Sequence, residues 1–396
     1  MQGLLLTHFN MSTRLSLGSF LVKAKAALTA PAAQRKGPLT FVVGNESADL
    51  DSLCSAVVYA YLRSHAPPHT LHIPLSNLPR EDLALRTEMS AVLKHAGLTL
   101  KDLLTLSELP DLKPEETRWL LVDHNSLTGP LTKYSEQVTG CVDHHADEDV
   151  VRKDANPRVI ETCGSCMSLV VDETREIWQE LSTKDAEDSD AATENEKLVR
   201  LAIGPIMSDT INMTAEAKVR EQDTKAVAFL EERMTFDRTA YFDEISAVKE
   251  DISELSLRDV FRKDYKEWNG SDLKLGISCV VQNFDYLVKK AGNPEPLLDA
   301  FEEWVKERNL DVASIMTTSH PDGEFQRHLL VWGISDQGRE AVDRFVADSG
   351  EKLKLETWKD GELDEHGHSR FAWRQHDLAS SRKQVAPLLR EALKKS

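Results

Sequence analysis

A chain of 396 residues is longer than one hydrophobic core usually serves and points to two domains. With 41% hydrophobic and 29% charged residues the composition is globular, and no apolar run approaches the roughly 18 to 20 residues that would span a bilayer. A formal net charge of −18 excludes a nucleic-acid binder that works through a broad basic face, so a polyanionic ligand would need a locally basic pocket.

The chain opens with Arg14, Lys23, Lys25, Arg35 and Lys36 before its first acidic residue, Glu46. An acid-free, Ser-containing start has the pattern of a mitochondrial presequence, with Met11 as an alternative start. The plainer reading is a surface helix over 17–28 with Leu17, Phe20, Leu21 and Leu28 on one face, so residues 1–37 are taken as an N-terminal helical segment.

From residue 39, the apolar runs LTFVVG, RWLLVDHN and TGCVDHH alternate with segments of helical periodicity at 53–62 and 83–93. That alternation predicts βαβ units and a parallel sheet. A further helix is expected from Gly164 to about Leu181, followed at 182–197 by STKDAEDSDAATENEK, a polar and mostly acidic stretch that reads as a solvated loop. Helical patterns resume in EKLVRLAIGPIM and TKAVAFLEERM and break in the region 232–242, which closes a first domain at 38–235.

The second domain, 240–396, opens with a helix-like run over 245–268 and continues with the strand candidates LKLGISCVVQ, ASIMTTSH and HLLVWGIS. It ends in the cationic helix SRKQVAPLLREALKK. The expected class is α/β: an N-terminal doubly wound domain with a parallel sheet and a smaller C-terminal domain with a mixed sheet, the active site lying in the cleft between them. Five widely spaced cysteines, Cys54, Cys141, Cys163, Cys166 and Cys279, suit reduced thiols in an intracellular compartment. The pair in TCGSCMS has no second pair to complete a zinc site and reads as a tight turn.

The chemistry gathers after the strand runs. NESADLDS brings Glu46, Asp49 and Asp51 to the end of one strand; LLVDHNSL supplies Asp123; CVDHHADE supplies Asp143, His144 and His145; GPIMSDTINM supplies Asp209. Carboxylates and imidazoles delivered to one end of a sheet repel unless cations sit among them. Residues two apart in an extended segment lie about 6 to 7 Å apart, a separation that suits ligands reaching two different ions. Paired divalent cations serve phosphoryl hydrolysis, and oxygen-rich ligands with few imidazoles favour Mg²⁺ or Mn²⁺, with Co²⁺ also accommodated. Taken singly, a DxD is usually a solvated turn, and Asp51 with Ser52 could cap a helix; the four fragments in order are what point to metal.

NESADLDS, DHN, DHH and SDT in this order resemble the DHH phosphoesterases, and VGNESADLDS, RKDYKEW and SRKQVAP are most similar to the fungal cytosolic exopolyphosphatases. The resemblance implies that Asp49 binds one metal and Asp51 the other, that Asp123 bridges both, and that His144 and Asp209 complete the second site. It gives His145 a phosphate contact, and gives Lys266, Arg382 and Lys383 the role of phosphate-binding cations, with Arg262 and Arg327 as further candidates. Asn45 stands where the related manganese inorganic pyrophosphatases carry a histidine ligand, which favours long-chain polyphosphate over pyrophosphate and leaves Asn45 to orient substrate. The implied activity is metal-dependent release of orthophosphate from the ends of inorganic polyphosphate by a cytoplasmic monomer with no nucleic-acid or membrane partner. The alternatives are a manganese-type inorganic pyrophosphatase, a nucleotide phosphodiesterase of the same superfamily, and an inactive scaffold.

Overall fold

The computed structural model describes residues 14–35, 37–184, 189–270, 273–365, 367 and 369–394, and the chain forms two compact units, Met1–Val248 and Lys249–Ser396. Presequence processing and the Met11 start concern residues outside those described.

In the first unit, helix α1 (Leu17–Thr29) leads to strand β1 (Leu39–Val43), helix α2 (Leu50–His65), strand β2 (His72–Leu75) and helix α3 (Thr87–His95). Strands β3 (Thr117–Val122), β4 (Val138–Asp143) and β5 (Arg158–Ile160) follow, then helices α4 (Cys166–Glu173), α5 (Arg175–Lys184), α6 (Ser189–Thr210), α7 (Glu221–Glu231) and α8 (Arg238–Glu250). The sheet order is β2-β1-β3-β4-β5 and every pairing is parallel. The chain runs outward from β1 to β2 and then crosses back to β3, so the switch in winding direction falls between β1 and β3, where sheets of this order open a crevice beyond their carboxyl ends.

Because side chains alternate along a strand, each face of the sheet has its own core. Val42, Leu120, Val122 and Val142 pack with α2, α4, α6 and α7, while Phe41, Val43, Trp119 and Leu121 form the opposite core, in which Trp119 stacks on Phe41 and Tyr134. Helix α1 contributes Leu17, Phe20 and Leu21 to the first core and Ala24 and Leu28 to the second. It is therefore a structural part of the unit. Phe20 is fully buried and meets the Tyr61 ring edge to face at 5.4 Å. Phe20→Ala is expected to cost about 3–5 kcal/mol and to lower the melting temperature by on the order of 10 °C, as read by a thermal melt of the metal-free protein. An unchanged melt would show that α1 is only appended.

Three local expectations fail for identifiable reasons. The acidic stretch over 182–197 is mostly helix, since α5 reaches Lys184 and α6 begins at Ser189. Helix-favouring Ala, Glu and Lys supply the propensity, and tertiary bonds hold the segment: Trp178 Nε1 donates to Asn195 Oδ1 at 2.7 Å, and the Leu17 amide donates to Glu194 at 2.8 Å. The run over 83–93 is divided into a 3₁₀ turn (Arg80–Leu85) and α3, and the helix beyond Gly164 is divided at Thr174.

The second unit holds α9 (Leu257–Lys263), β6 (Tyr265–Asn269), β7 (Lys274–Val280), α10 (Phe284–Ala291), α11 (Pro294–Arg308), β8 (Val312–Thr317), β9 (His328–Gly333), α12 (Asp336–Ser349), β10 (Leu355–Thr357), β11 (Arg370–Gln375) and α13 (Arg382–Lys394). Its mixed sheet runs β10-β11-β9-β8-β7-β6, with only β7 and β8 parallel. The helix-like reading over 245–268 breaks twice: residues 251–256 separate α8 from α9, and beyond Asp264 the segment Tyr265–Asn269 is a strand, antiparallel to β7. Its alternation of Tyr265, Lys266, Glu267 and Trp268 fits a strand with two differently occupied faces.

Candidate metal centre

The turn after β1 is built to hold carboxylates. A Cβ on Gly44 would lie 2.6 Å from the Ser52 Cβ, so only glycine lets β1 pass this close to the first turn of α2. Ala48 adopts a left-handed φ of 45°, and the buried Arg86 fixes the loop by donating from Nε to the Ala48 carbonyl at 2.7 Å and from Nη2 to the Ser47 carbonyl at 2.6 Å. Asp49 caps α2, its Oδ1 accepting the Ser52 amide at 3.0 Å. The capping role suggested for Asp51 thus belongs to Asp49. Nor are Asp49 and Asp51 two steps apart along one extended segment, because Asp51 lies in the first helical turn.

Asp51, 2% exposed, turns toward the start of α4, where it accepts the Cys166 amide at 2.6 Å and the Met167 amide at 3.0 Å. Burial first, then the charges of Asp123 and Asp209, push its carboxyl well above the usual carboxylate range; His144 opposes this and Asp49 adds to it. Asp123, Asp209, His144 and Asp49, sequence-predicted ligands like Asp51 itself, are therefore each near enough for their charge to act on Asp51. Glu46 Oε2 accepts the Thr128 hydroxyl at 2.7 Å.

Asp123 follows β3 with a left-handed φ of 62° and is 2% exposed. Its Oδ2 accepts the Ser52 hydroxyl at 2.6 Å and the Asn45 amide at 2.8 Å, and Asn45 Nδ2 also reaches the Asp123 carbonyl at 3.1 Å. Asn45 thus holds a ligand in place. Asp123 Oδ1 lies 3.1 Å from His144 Nε2 and 3.7 Å from His145 Nδ1. One donor atom from each of Asp123, His144 and His145 falls within 4.8 Å of the others.

The two histidines are oriented differently. His144 Nδ1 lies 3.1 Å from the Cys163 carbonyl, which can only accept, so Nδ1 carries a proton, while Nε2 lies on the side of Asp123 Oδ1. His145 Nδ1 contacts Asp143 Oδ1 at 2.8 Å, and its ring is 30% exposed. Asp143 itself is fully buried; burial would raise its pKa, but the bond and charge of His145, the Asn125 amide at 2.6 Å and the charge of His144 hold it far below the usual carboxylate range. Sequence reading counted Asp143 among the gathered carboxylates without a role of its own, read Ser52 only as a possible helix cap, and overlooked Asn125 and Arg86. The only signal for Ser52 and Asn125 was adjacency to the DxD and DHN fragments.

Tested as a donor set, this group fits divalent cations: clustered carboxylates, an imidazole whose far nitrogen is anchored by a backbone carbonyl, and a buried carboxylate whose ionisation burial and like charges oppose.

Cations in the second unit occupy a common region of its sheet. Lys266 is paired in register with Ile277, and Ile277, Leu329 and Val331 belong to the core that α12 and α13 cover. Burial pushes the Cys279 thiol up to about 12, against the pull of Arg382 and Arg327, which places both guanidiniums near that strand. Arg327 is buried, donating to the Leu378 carbonyl at 2.9 Å and lying 5.0 Å over the Phe325 ring; Arg382 Nη1 bonds Asp264 at 2.8 Å; Arg262 bonds Asp259 at 2.8 Å. In SRKQ, Ser381 and Gln384 form a capping arrangement: Gln384 Oε1 accepts the Ser381 amide at 3.0 Å, and Ser381 Oγ accepts the Lys383 amide at 3.3 Å. Arg382 and Lys383 stand between them at the start of α13.

An α/β unit carrying a divalent-metal donor set at its switch point, joined to a second unit with a mixed sheet, defines the class of protein. A family model for the N-terminal domain of the DHH family matches residues 40–203, and one for the DHHA2 domain matches 243–392. A Schizosaccharomyces pombe protein, provisionally named an exopolyphosphatase, is 32% identical over 396 residues, 98% of each chain. The chain belongs to the DHH family. Human exopolyphosphatase PRUNE1 is 26% identical over 94% of this chain and 79% of its own, and a provisionally named manganese-dependent inorganic pyrophosphatase of Clostridium acetobutylicum is 24% identical over 71% and 81%. A Methanococcus jannaschii structure, provisionally titled a family II inorganic pyrophosphatase, matches with a TM-score of 0.58 and 20% identity over 90% of this chain and all of that one, a likeness of fold.

Proposed function

We propose that the chain is an exopolyphosphatase, a hydrolase that removes terminal orthophosphate from inorganic polyphosphate with the help of two divalent cations, Mg²⁺ or Mn²⁺. The observation that carries this reading is the cluster of Asp123, His144 and His145 donor atoms, with the buried Asp51 carboxyl under the charges of Asp123 and Asp209, in a chain most of whose length aligns with exopolyphosphatase-named relatives. Bound there, divalent cations would neutralise phosphate oxygens and lower the pKa of a water molecule that attacks the terminal phosphorus.

The side chains have separable tasks. Asp123, held by Ser52 and Asn45, and His144, held by the Cys163 carbonyl, keep their donor atoms fixed before substrate arrives. Asp143 orients His145 through Nδ1, directing that partly exposed ring toward an anionic phosphate oxygen. Lys266, Arg327, Arg382 and Lys383 are assigned to the anionic oxygens of the chain, with Arg262 as a further contributor. In this way an acidic protein holds a polyanion through a few local cations and not through its net charge. The thiols form no disulfide and four of the five are buried, in keeping with the cytoplasmic location proposed here.

Orthophosphate release from pyrophosphate, tripolyphosphate, long-chain polyphosphate and adenosine tetraphosphate, with Mg²⁺ and with chelator, tests the reading. Metal-dependent release that favours the inorganic chains supports it. Preference for pyrophosphate or for the nucleotide moves the protein to another branch of its superfamily, and no release from any substrate makes it a scaffold. Asn45→His replaces a donor to Asp123 with an imidazole. It is expected to tighten Mn²⁺ binding and to raise the rate on pyrophosphate relative to long chains severalfold; an unchanged ratio would place chain-length preference elsewhere.

A further inference from the structure

The turn over residues 163–167 touches two of the proposed metal ligands from opposite sides. On one side the Cys163 carbonyl accepts His144 Nδ1–H at 3.1 Å, and on the other the Cys166 and Met167 amides donate to Asp51. Between them, Gly164 and Ser165 donate their amides to a single carboxylate, Asp223, at 2.8 and 3.2 Å. Asp223 is fully buried and lies in the first turn of α7. It also accepts the Ser168 hydroxyl at 2.6 Å and the Arg220 amide at 2.8 Å, so four donors converge on its two oxygens. Packing leaves the turn little room: a Cβ on Gly164 would lie 2.9 Å from Asp223 Oδ2 and 2.6 Å from Thr210 Cγ2, next in sequence to Asp209.

We infer that Asp223 is a positioning residue for the metal centre: through the Gly164–Ser165 turn it sets the tautomer and direction of His144 and the placement of the Asp51 carboxylate. The inference rests on the metal-dependent reading above. Asp223 touches neither ligand itself. It is placed to act on both because the Gly164 amide it holds shares one planar peptide unit with the Cys163 carbonyl, and the Ser165 amide is one residue from the Cys166 amide, too short a link to absorb a displacement by bond rotation. A carboxylate is specifically required, since an amide in its place would point an NH₂ group at one of the backbone donors.

The full-length chain is titrated with Mn²⁺ alone, by calorimetry or by competition with a metallochromic indicator, for the wild type, Asp223→Asn, Gly164→Ala and Glu108→Gln. Glu108 is a matched control, because it too accepts a backbone amide and a hydroxyl, both from Thr105, and pairs with Arg80, in a segment none of whose hydrogen bonds reaches the cluster. Asp223→Asn is expected to melt cooperatively and to bind Mn²⁺ about 10- to 100-fold more weakly. Its kcat on tripolyphosphate should recover as Mn²⁺ is raised, with KM little changed. Gly164→Ala should shift in the same direction, and Glu108→Gln should lower the melting temperature without loosening Mn²⁺. Wild-type Mn²⁺ affinity in Asp223→Asn, or in Gly164→Ala where the first variant does not fold, overturns the inference. Failure of the wild type to bind Mn²⁺ overturns the metal-dependent reading itself.

Discussion

Asp123→Asn is expected to reduce metal-dependent phosphate release by a factor of about 10³ or more, equivalent to roughly 4 kcal/mol of barrier, while leaving the metal-free fold intact. Asparagine is the informative substitution because position 123 has a left-handed backbone, φ 62°, which Asn adopts at lower cost than Ala. An amide can still accept the Ser52 hydroxyl at one oxygen, so the loop remains anchored. What is lost is the negative charge beside His144 Nε2 and Asp51. A second, non-kinetic reading comes from linkage: Mn²⁺ at a thousand times its dissociation constant stabilises the wild type by about 4 kcal/mol. For a unit of this size that is a rise in melting temperature of roughly 8 °C or more. The variant is expected to show little of it. Near-normal turnover, or an undiminished metal-induced shift, would remove Asp123 from the centre.

How much of this centre could be read in advance follows from how local each interaction is. Asp123, His144 and His145 stand directly after strand-like runs, and the ends of parallel strands are where such a sheet gathers its polar groups, so the approach of these three was legible. The division of labour between Asp49 and Asp51 was not, because it depends on which residue starts α2, a one-residue question that propensity does not answer. Asp223 left no mark at all. In REQD it reads as an ordinary acidic residue in the first turn of a helix, and its partners, Gly164 and Ser165, are 59 and 58 residues away in the chain. The same contrast holds for the fold. The strands β7, β8 and β9 are apolar runs and declared themselves, while β6 and β11 mix charge with aromatic residues and gain their pairing only from neighbours already in the sheet. The acidic stretch over 182–197 looked solvated because its apolar contacts are few; its helices are held by Asn195 and Glu194, polar residues whose partners lie in α5 and at the start of α1.

Asp51→Asn should abolish turnover as fully as the change at Asp123, but its more discriminating signature is a reversal of stability with metal. In the folded, metal-free protein, burial and the charges of Asp123 and Asp209 raise the Asp51 pKa well above its ordinary value near 3.8. A carboxyl whose folded pKa is raised contributes stability that is fully present below the unfolded pKa and is lost as pH rises through the folded one. In chelator, therefore, both side chains are neutral near pH 4, where the variant's one handicap is an NH₂ group turned toward one of the two backbone amides that the separate Asp51 oxygens accept. As the pH rises the wild type should lose ground, because its carboxylate must ionise beside other carboxylates and the variant's amide need not. Saturating Mn²⁺ inverts the order: ionisation is then compensated by the cation, the wild type gains the full linkage stabilisation, and the variant, short of a charged ligand, gains little. The measurement is the melting temperature of both proteins from pH 4 to 8 with chelator and with Mn²⁺. If the difference between them keeps one sign under both conditions, Asp51 is held in place for the fold and not for a cation, and the centre must be built without it.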